Sequence, residues 1–175
     1  MVFLLLLCGC GSKKSDNEKD RLNKYEDMIE LVRSYDSFLE SSDYFEIDTE
    51  VTKLNEGGYR FYVIIEKARV AMYDVEAIAI EKNVDYSSFM AANVGIFEDR
   101  DYTMIPNQSN PDKGYVAGIV MSGLCNDPET SLYMLIQWKS KDMSTTKRQF
   151  LKLDIKYYED NYDENAINNN TENNG

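Results

Sequence analysis

The sequence predicts a mainly β protein: one N-terminal helix, then about seven antiparallel strands packed as a two-sheet sandwich. Three observations carry this. Apolar residues recur every second position over several stretches after residue 44. Turn residues interrupt those stretches frequently. No long helical pattern alternates with them, which argues against a parallel βαβ sheet. The runner-up is an α+β arrangement, a single curved antiparallel sheet with the helix across one face.

The helix is placed at residues 18–41. Leu22, Tyr25, Ile29, Val32 and Leu39 recur at helical spacing, and Met28, Leu31, Tyr35 and Phe38 form an adjoining stripe. Ser15 or Asp16 is the expected N-cap, and Ser41-Ser42-Asp43 the stop. A face this broad suits docking on the domain's own sheet better than a coiled-coil seam, although a partner-binding helix is the alternative.

The sandwich domain is placed at 42–158. Phe45 to Val51 alternates apolar and charged residues, and Tyr59 to Glu66 is rich in β-formers. Asn55 to Gly58 makes the turn, so residues 45–66 read as a hairpin. Val70 to Glu81 is the next strand or bent strand pair, with a helix as the alternative because of its alanines. A connection follows, with one helical turn over Ser87 to Ala92. Val94 to Phe97 and Tyr102 to Ile105 are short strands around the acidic knot Glu98-Asp99-Arg100-Asp101. A Pro-bounded loop precedes three more strands, Tyr115 to Ser122, Leu132 to Trp138 and Phe150 to Tyr157. The tail, 159–175, is acidic and then Asn-rich; it cannot bury enough surface to offset its ordering entropy and reads as disordered.

The chain has 175 residues, and its 43% hydrophobic and 29% charged residues suit one domain with a real core. Net charge is −12, which repels nucleic acid backbones, so no nucleic-acid partner is expected. The chain has no His, which removes Ser-His and Cys-His catalysis and the commonest metal ligand. Ser140 and Lys141 are merely adjacent, where Ser-Lys chemistry wants an S-x-x-K spacing near a buried Lys. No Gly-rich phosphate loop is present. The expectation is therefore a non-enzyme, without a cofactor. For metal the expectation is likewise none. Glu98, Asp99 and Asp101 are weak calcium candidates, because Arg100 sits among them and the spacing is not that of an EF-hand.

The first ten residues are "MVFLLLLCGC". Val2 to Leu7 is too short to span a membrane, which takes about 20 apolar residues, but it suits the end of a signal-peptide hydrophobic region. Leu7-Cys8-Gly9-Cys10 resembles the lipobox of bacterial, Gram-positive-type membrane lipoproteins: Leu at −3, a tolerant −2 position, a small residue at −1 and Cys at +1. The resemblance implies cleavage before Cys10 and lipid attachment at Cys10. Residues 1–9 are then a signal peptide, and 10–17 a lipidated tether. No Lys or Arg precedes the apolar run, which leaves two alternatives: the true start lies upstream and the signal peptide is truncated, or export itself is in doubt. A zinc pair is disfavoured, because one residue separates Cys8 from Cys10 and Cys125 is the only other Cys. Two acyl chains anchor stably where one does not.

The strand pattern also resembles the immunoglobulin-like domains of Gram-positive surface lipoproteins. Together these resemblances imply a lipid-anchored, extracytoplasmic protein at the cell membrane, with a binding or envelope-support role and an envelope protein as partner. Two alternatives stand beside it: a surface hydrolase using acidic residues, and a structural module that docks partners through the N-terminal helix. No oligomeric state follows from the sequence.

Overall fold

A computed structural model describes residues 12–159 of the chain. One helix, α1 (Ser12–Ser34), precedes seven strands: β1 (Glu46–Lys53), β2 (Tyr59–Glu66), β3 (Tyr73–Ile80), β4 (Ala92–Val94), β5 (Gly118–Cys125), β6 (Glu129–Lys139) and β7 (Thr146–Lys156). They form two antiparallel sheets, ordered β1-β2-β5 and β4-β3-β6-β7. The arrangement is a two-sheet β-sandwich. In the seven-strand immunoglobulin constant-type sandwich the fourth strand joins the first, second and fifth; here β4 lies beside β3 in the other sheet. Two sheets, not one curved sheet, make the fold.

Alternation builds the space between the sheets. Phe61, Val63 and Ile65 of β2 and Ile119, Met121 and Cys125 of β5 point inward from one sheet. Val75, Ala77 and Ala79 of β3 and Leu132, Met134, Ile136 and Trp138 of β6 meet them from the other. Trp138 is fully buried and edge-on to Phe45.

The other face of β3 and β6 is buried as well. Tyr25, Met28, Ile29 and Val32 of α1 pack on Ile78, Ile80 and Leu135. The molecule thus has three layers: helix, four-stranded sheet, three-stranded sheet. Among the described residues, nothing covers the outer face of the three-stranded sheet in this way, and Val120 and Leu124 are exposed there.

β3 enters this layer through a bulge between Tyr73 and Glu76, where Asp74 takes a φ of 49° and pairs with Lys139 at 2.5 Å. Beyond it, Glu76 faces α1. Its carboxylate accepts from Lys24 Nζ at 2.6 Å and from Gln137 Nε2 at 2.6 Å.

Several boundaries differ from the sequence expectation, each for a physical reason. α1 begins by Ser12, so Ser15 and Asp16 lie inside it and Ser12 to Asn17 is helix, not tether. Nothing in Ser12 to Asn17 breaks a helix: it holds neither Gly nor Pro. α1 ends at Ser34, not at residue 41. Tyr35 then stacks on Phe150 at 3.8 Å, Phe38 lies edge-on to Tyr133, and Leu39 forms a parallel bridge to Leu151. These residues continue the apolar spacing because they continue over the same sheet, in extended form.

Ser87 to Ala92 contains no helical turn; its last residue opens β4. Tyr102 to Ile105 is no strand but a set of isolated bridges, one of which seats buried Met104 against Met72. The strand expected at Val94 to Phe97 is instead β4, Ala92–Val94, and it stops at Val94 because Gly95 turns the chain with φ 80°. A Cβ there would lie 2.2 Å from the Val75 carbonyl oxygen, so no other residue fits this turn without a shift of backbone. The signal-peptide motif (residues 7–10) and the Asn-rich tail (160–175) lie outside the described residues.

Candidate functional site

Among the described residues, an open groove of about 1090 Å³ runs between α1 and the loop that joins β3 to β4. One wall is a single face of α1: Leu22, Tyr25, Glu26, Ile29 and Arg33 recur at intervals of three and four and so project the same way. The other wall is the loop segment Asp85 to Met90, and Phe97 closes one end.

The loop is held at several points. Tyr25 Oη accepts from the Ala91 N–H at 2.7 Å, tying helix to loop across 66 residues of sequence. Tyr86 Oη accepts from the Glu81 N–H at 2.9 Å. Asp85 accepts from the Ser87 N–H at 2.9 Å and from Ser87 Oγ at 2.8 Å, a local turn that sets the loop's path. Arg33 donates to the Val84 carbonyl at 3.0 Å. Tyr86 also lies against Phe89, edge-on at 5.2 Å. A groove wall pinned this way loses little entropy when a ligand arrives.

Protonation follows the packing. Burial pushes the Tyr86 phenol up to about 12 and raises that of Tyr25. The two Ser87 hydrogen bonds hold the Asp85 carboxyl below its usual value. At neutral pH both tyrosines are therefore neutral and Asp85 is ionised.

The groove is apolar within and acidic at its rim. Leu22, Phe89 and Met90 expose 46%, 46% and 51% of their surface, far more than ordinary core residues. Around them stand the carboxylates of Glu18, Glu26, Glu30 and Asp85 against two cations, Lys19 and Arg33. Arg33 is already engaged with Glu30 at 3.2 Å. Two smaller grooves, of about 590 and 610 Å³, lie along the seam between β1 and β7 and are lined mostly by polar residues.

The residues singled out from the sequence have other places. Glu98 caps the turn after β4, its Oε2 accepting from the Gly95 N–H at 2.9 Å and the Phe97 N–H at 3.2 Å. Asp99 pairs with Arg21 at 2.8 Å. Asp101 is exposed and acts on Lys139, raising its pKa after the larger effect of Asp74. Among the described residues, no three carboxylates or thiols come together as a cation site. Ser144 and Lys147 do stand at S-x-x-K spacing, but Ser144 Oγ donates to Asp142 at 2.8 Å and Lys147 lies over the Tyr44 ring. Cys125 is buried, and desolvation pushes its thiol up to about 11. Leu7, Cys8, Gly9 and Cys10 lie outside the described residues.

Sequence reasoning missed the groove itself. Its second wall reads as a polar connection, and nothing local in "DYSSFM" announces that Phe89 and Met90 come to face Leu22. Among the described residues, no helix is long and apolar enough to cross a membrane. No family model, curated protein or solved structure matches the chain.

Proposed function

We propose that this chain is a lipid-anchored lipoprotein on the extracytoplasmic face of the cell membrane, and that its sandwich is a non-enzymatic binding module. The observation that carries the anchor is the motif Leu7-Cys8-Gly9-Cys10, whose last residue stands two positions before the start of α1. The binding role is supported by the groove. It is apolar within, and its loop is pinned before any ligand arrives, with Asp85 and Tyr86 engaged in holding that loop.

On this reading Cys10 carries the diacylglyceryl group, and α1 places the sandwich. The helix replaces what would otherwise be a flexible connection. From Ser12 to Arg21, which is tied to the domain body through the Phe97 carbonyl, α1 rises about 14 Å at 1.5 Å per residue. That exceeds a Debye length of about 8 Å, so the acidic body stands clear of most anionic headgroup repulsion.

Radiolabelled palmitate tests the anchor. Expressed with a complete signal sequence, the wild-type chain takes up label and Cys10→Ala does not. Absence of label in the wild type overturns the reading.

A further inference from the structure

We propose that the groove between α1 and the Asp85–Met90 loop receives a basic amphipathic helix presented by a partner protein. The proposal deepens the binding role given above by naming the class of partner, but it stands on the groove's own geometry.

Three features select this occupant. The first is charge: with Arg33 and Glu30 paired to each other, the carboxylates of Glu18, Glu26 and Asp85 stand at the rim against Lys19, which favours a ligand that brings Lys or Arg. The acidity of the whole chain attracts the same ligand from a distance. The second is the apolar interior. Leu22, Phe89 and Met90 expose side chains that water solvates poorly, and an unbranched thioether such as Met90 adapts to varied apolar partners. The third is backbone chemistry. One wall is a helix and the other a loop, so no strand edge offers a ladder of hydrogen bonds. An extended peptide would leave its own N–H and C=O groups unpaired there, whereas a helix satisfies them internally. The wall from Glu18 to Arg33 rises about 22 Å, or about four helical turns. That length suits anchors at i, i+3 or i+4, and i+7 on the incoming helix.

A bare acidic surface would bind any polycation, so the test separates charge from the groove. Three fluorescein-labelled 18-residue peptides are titrated against the full chain carrying Cys10→Ser: an amphipathic Leu/Lys helix, its Leu/Glu counterpart, and a Ser/Lys peptide of equal charge without an apolar face. Fluorescence anisotropy should show the Leu/Lys helix binding at least about tenfold tighter than either other peptide. Leu22→Asp and Met90→Asp should each weaken it by about tenfold or more, while Leu124→Asp, on the bare outer sheet, stays within about twofold. Because Leu22, Met90 and Leu124 are all exposed, each variant should keep the wild-type circular dichroism spectrum.

Equal affinity for the Ser/Lys peptide overturns the proposal, since charge alone then suffices. So does an equal loss in Leu124→Asp and the groove variants, or a preference for the Leu/Glu helix. Palmitate labelling reads Cys10 alone, so failure here leaves the anchor standing, and failure of the anchor leaves this result standing.

Discussion

Lys24 Nζ lies 2.6 Å from Glu76 Oε1, joining α1 to β3 through a carboxylate that is only 7% exposed. Gln137 Nε2 holds the other carboxylate oxygen, and Arg148 Nε in turn donates to Gln137 Oε1 at 2.9 Å. A polar chain therefore runs from the helix through the sheet's helix-facing side, amid Ile78, Leu135 and Met28.

The two ends of this ion pair differ in exposure, and so should their variants. Lys24→Met leaves Glu76 buried without its cation, which should cost about 2 kcal/mol in urea unfolding. Glu76→Gln frees a lysine that is about half exposed and can turn to water, so the loss should be smaller. Lys24→Met combined with Glu76→Gln should be more stable than Lys24→Met alone. If the double variant is the worst of the three, the buried charge is not the source of the cost.

Gly95 and Gly57 both have positive φ, at 80° and 95°, but only one is crowded. An alanine Cβ at Gly95 meets the Val75 carbonyl, while one at Gly57 meets nothing within 4 Å. Gly57→Ala should cost about 1 kcal/mol, the conformational penalty alone. Gly95→Ala should cost at least about 2 kcal/mol more, since the turn and β3 must separate. Parallel denaturant titrations of the two variants check the ordering.

Cys125 should be chemically silent in the folded state. A thiol buried as this one is, with a pKa of about 11, holds almost no thiolate at pH 8. In a Cys8→Ser/Cys10→Ser chain, Ellman's reagent should react slowly in buffer and rapidly in denaturing urea. Rapid reaction in buffer would show that the β5–β6 turn opens readily.

Tyr86 predicts an alkaline limit to stability. Its phenol is raised from 10 to about 12, so between those values the unfolded state loses a proton that the folded state keeps. Unfolding then becomes easier as pH rises: the contribution is complete below pH 10 and fades toward 12. Cys125 acts in the same direction from about pH 9 to 11. Tyr86→Phe should flatten the fall in stability above pH 10, as measured by urea midpoints from pH 8 to 11.5, although it also loses the bond from the Glu81 N–H.

How much of this was legible in the sequence depends on which contacts are local. The β1–β2 hairpin was, because Phe45 to Val51 alternates, Tyr59 to Glu66 is rich in β-formers and the turn between them carries its glycines. β7 was legible from its alternation over Phe150 to Ile155, and β6 from the run of apolar and β-forming residues over Leu132 to Trp138, although both its faces are buried. The end of α1 was not: Tyr35, Phe38 and Leu39 keep a helical spacing while lying extended across the four-stranded sheet, and spacing alone does not separate those cases. β3 was ambiguous because both its faces are buried, so its run from Val75 to Ile80 shows no alternation. The groove was the least legible feature. Its walls are joined by contacts distant in sequence, Tyr25 to Ala91 and Arg33 to Val84, which no local pattern announces.

The three-layer stacking has a consequence for the order in which the molecule comes apart. β3 and β6 are paired on both edges and covered on both faces, whereas β1 is an edge strand with mostly exposed or half-exposed residues. Backbone amides exchange with deuterium through local openings, and the cost of opening grows with what must be uncovered. Ala77, Ile78, Leu135 and Ile136 should be the last amides to exchange, and those of β1 among the first. The chain's slowest clock therefore sits in the middle sheet, and the helix beside it helps to set its rate.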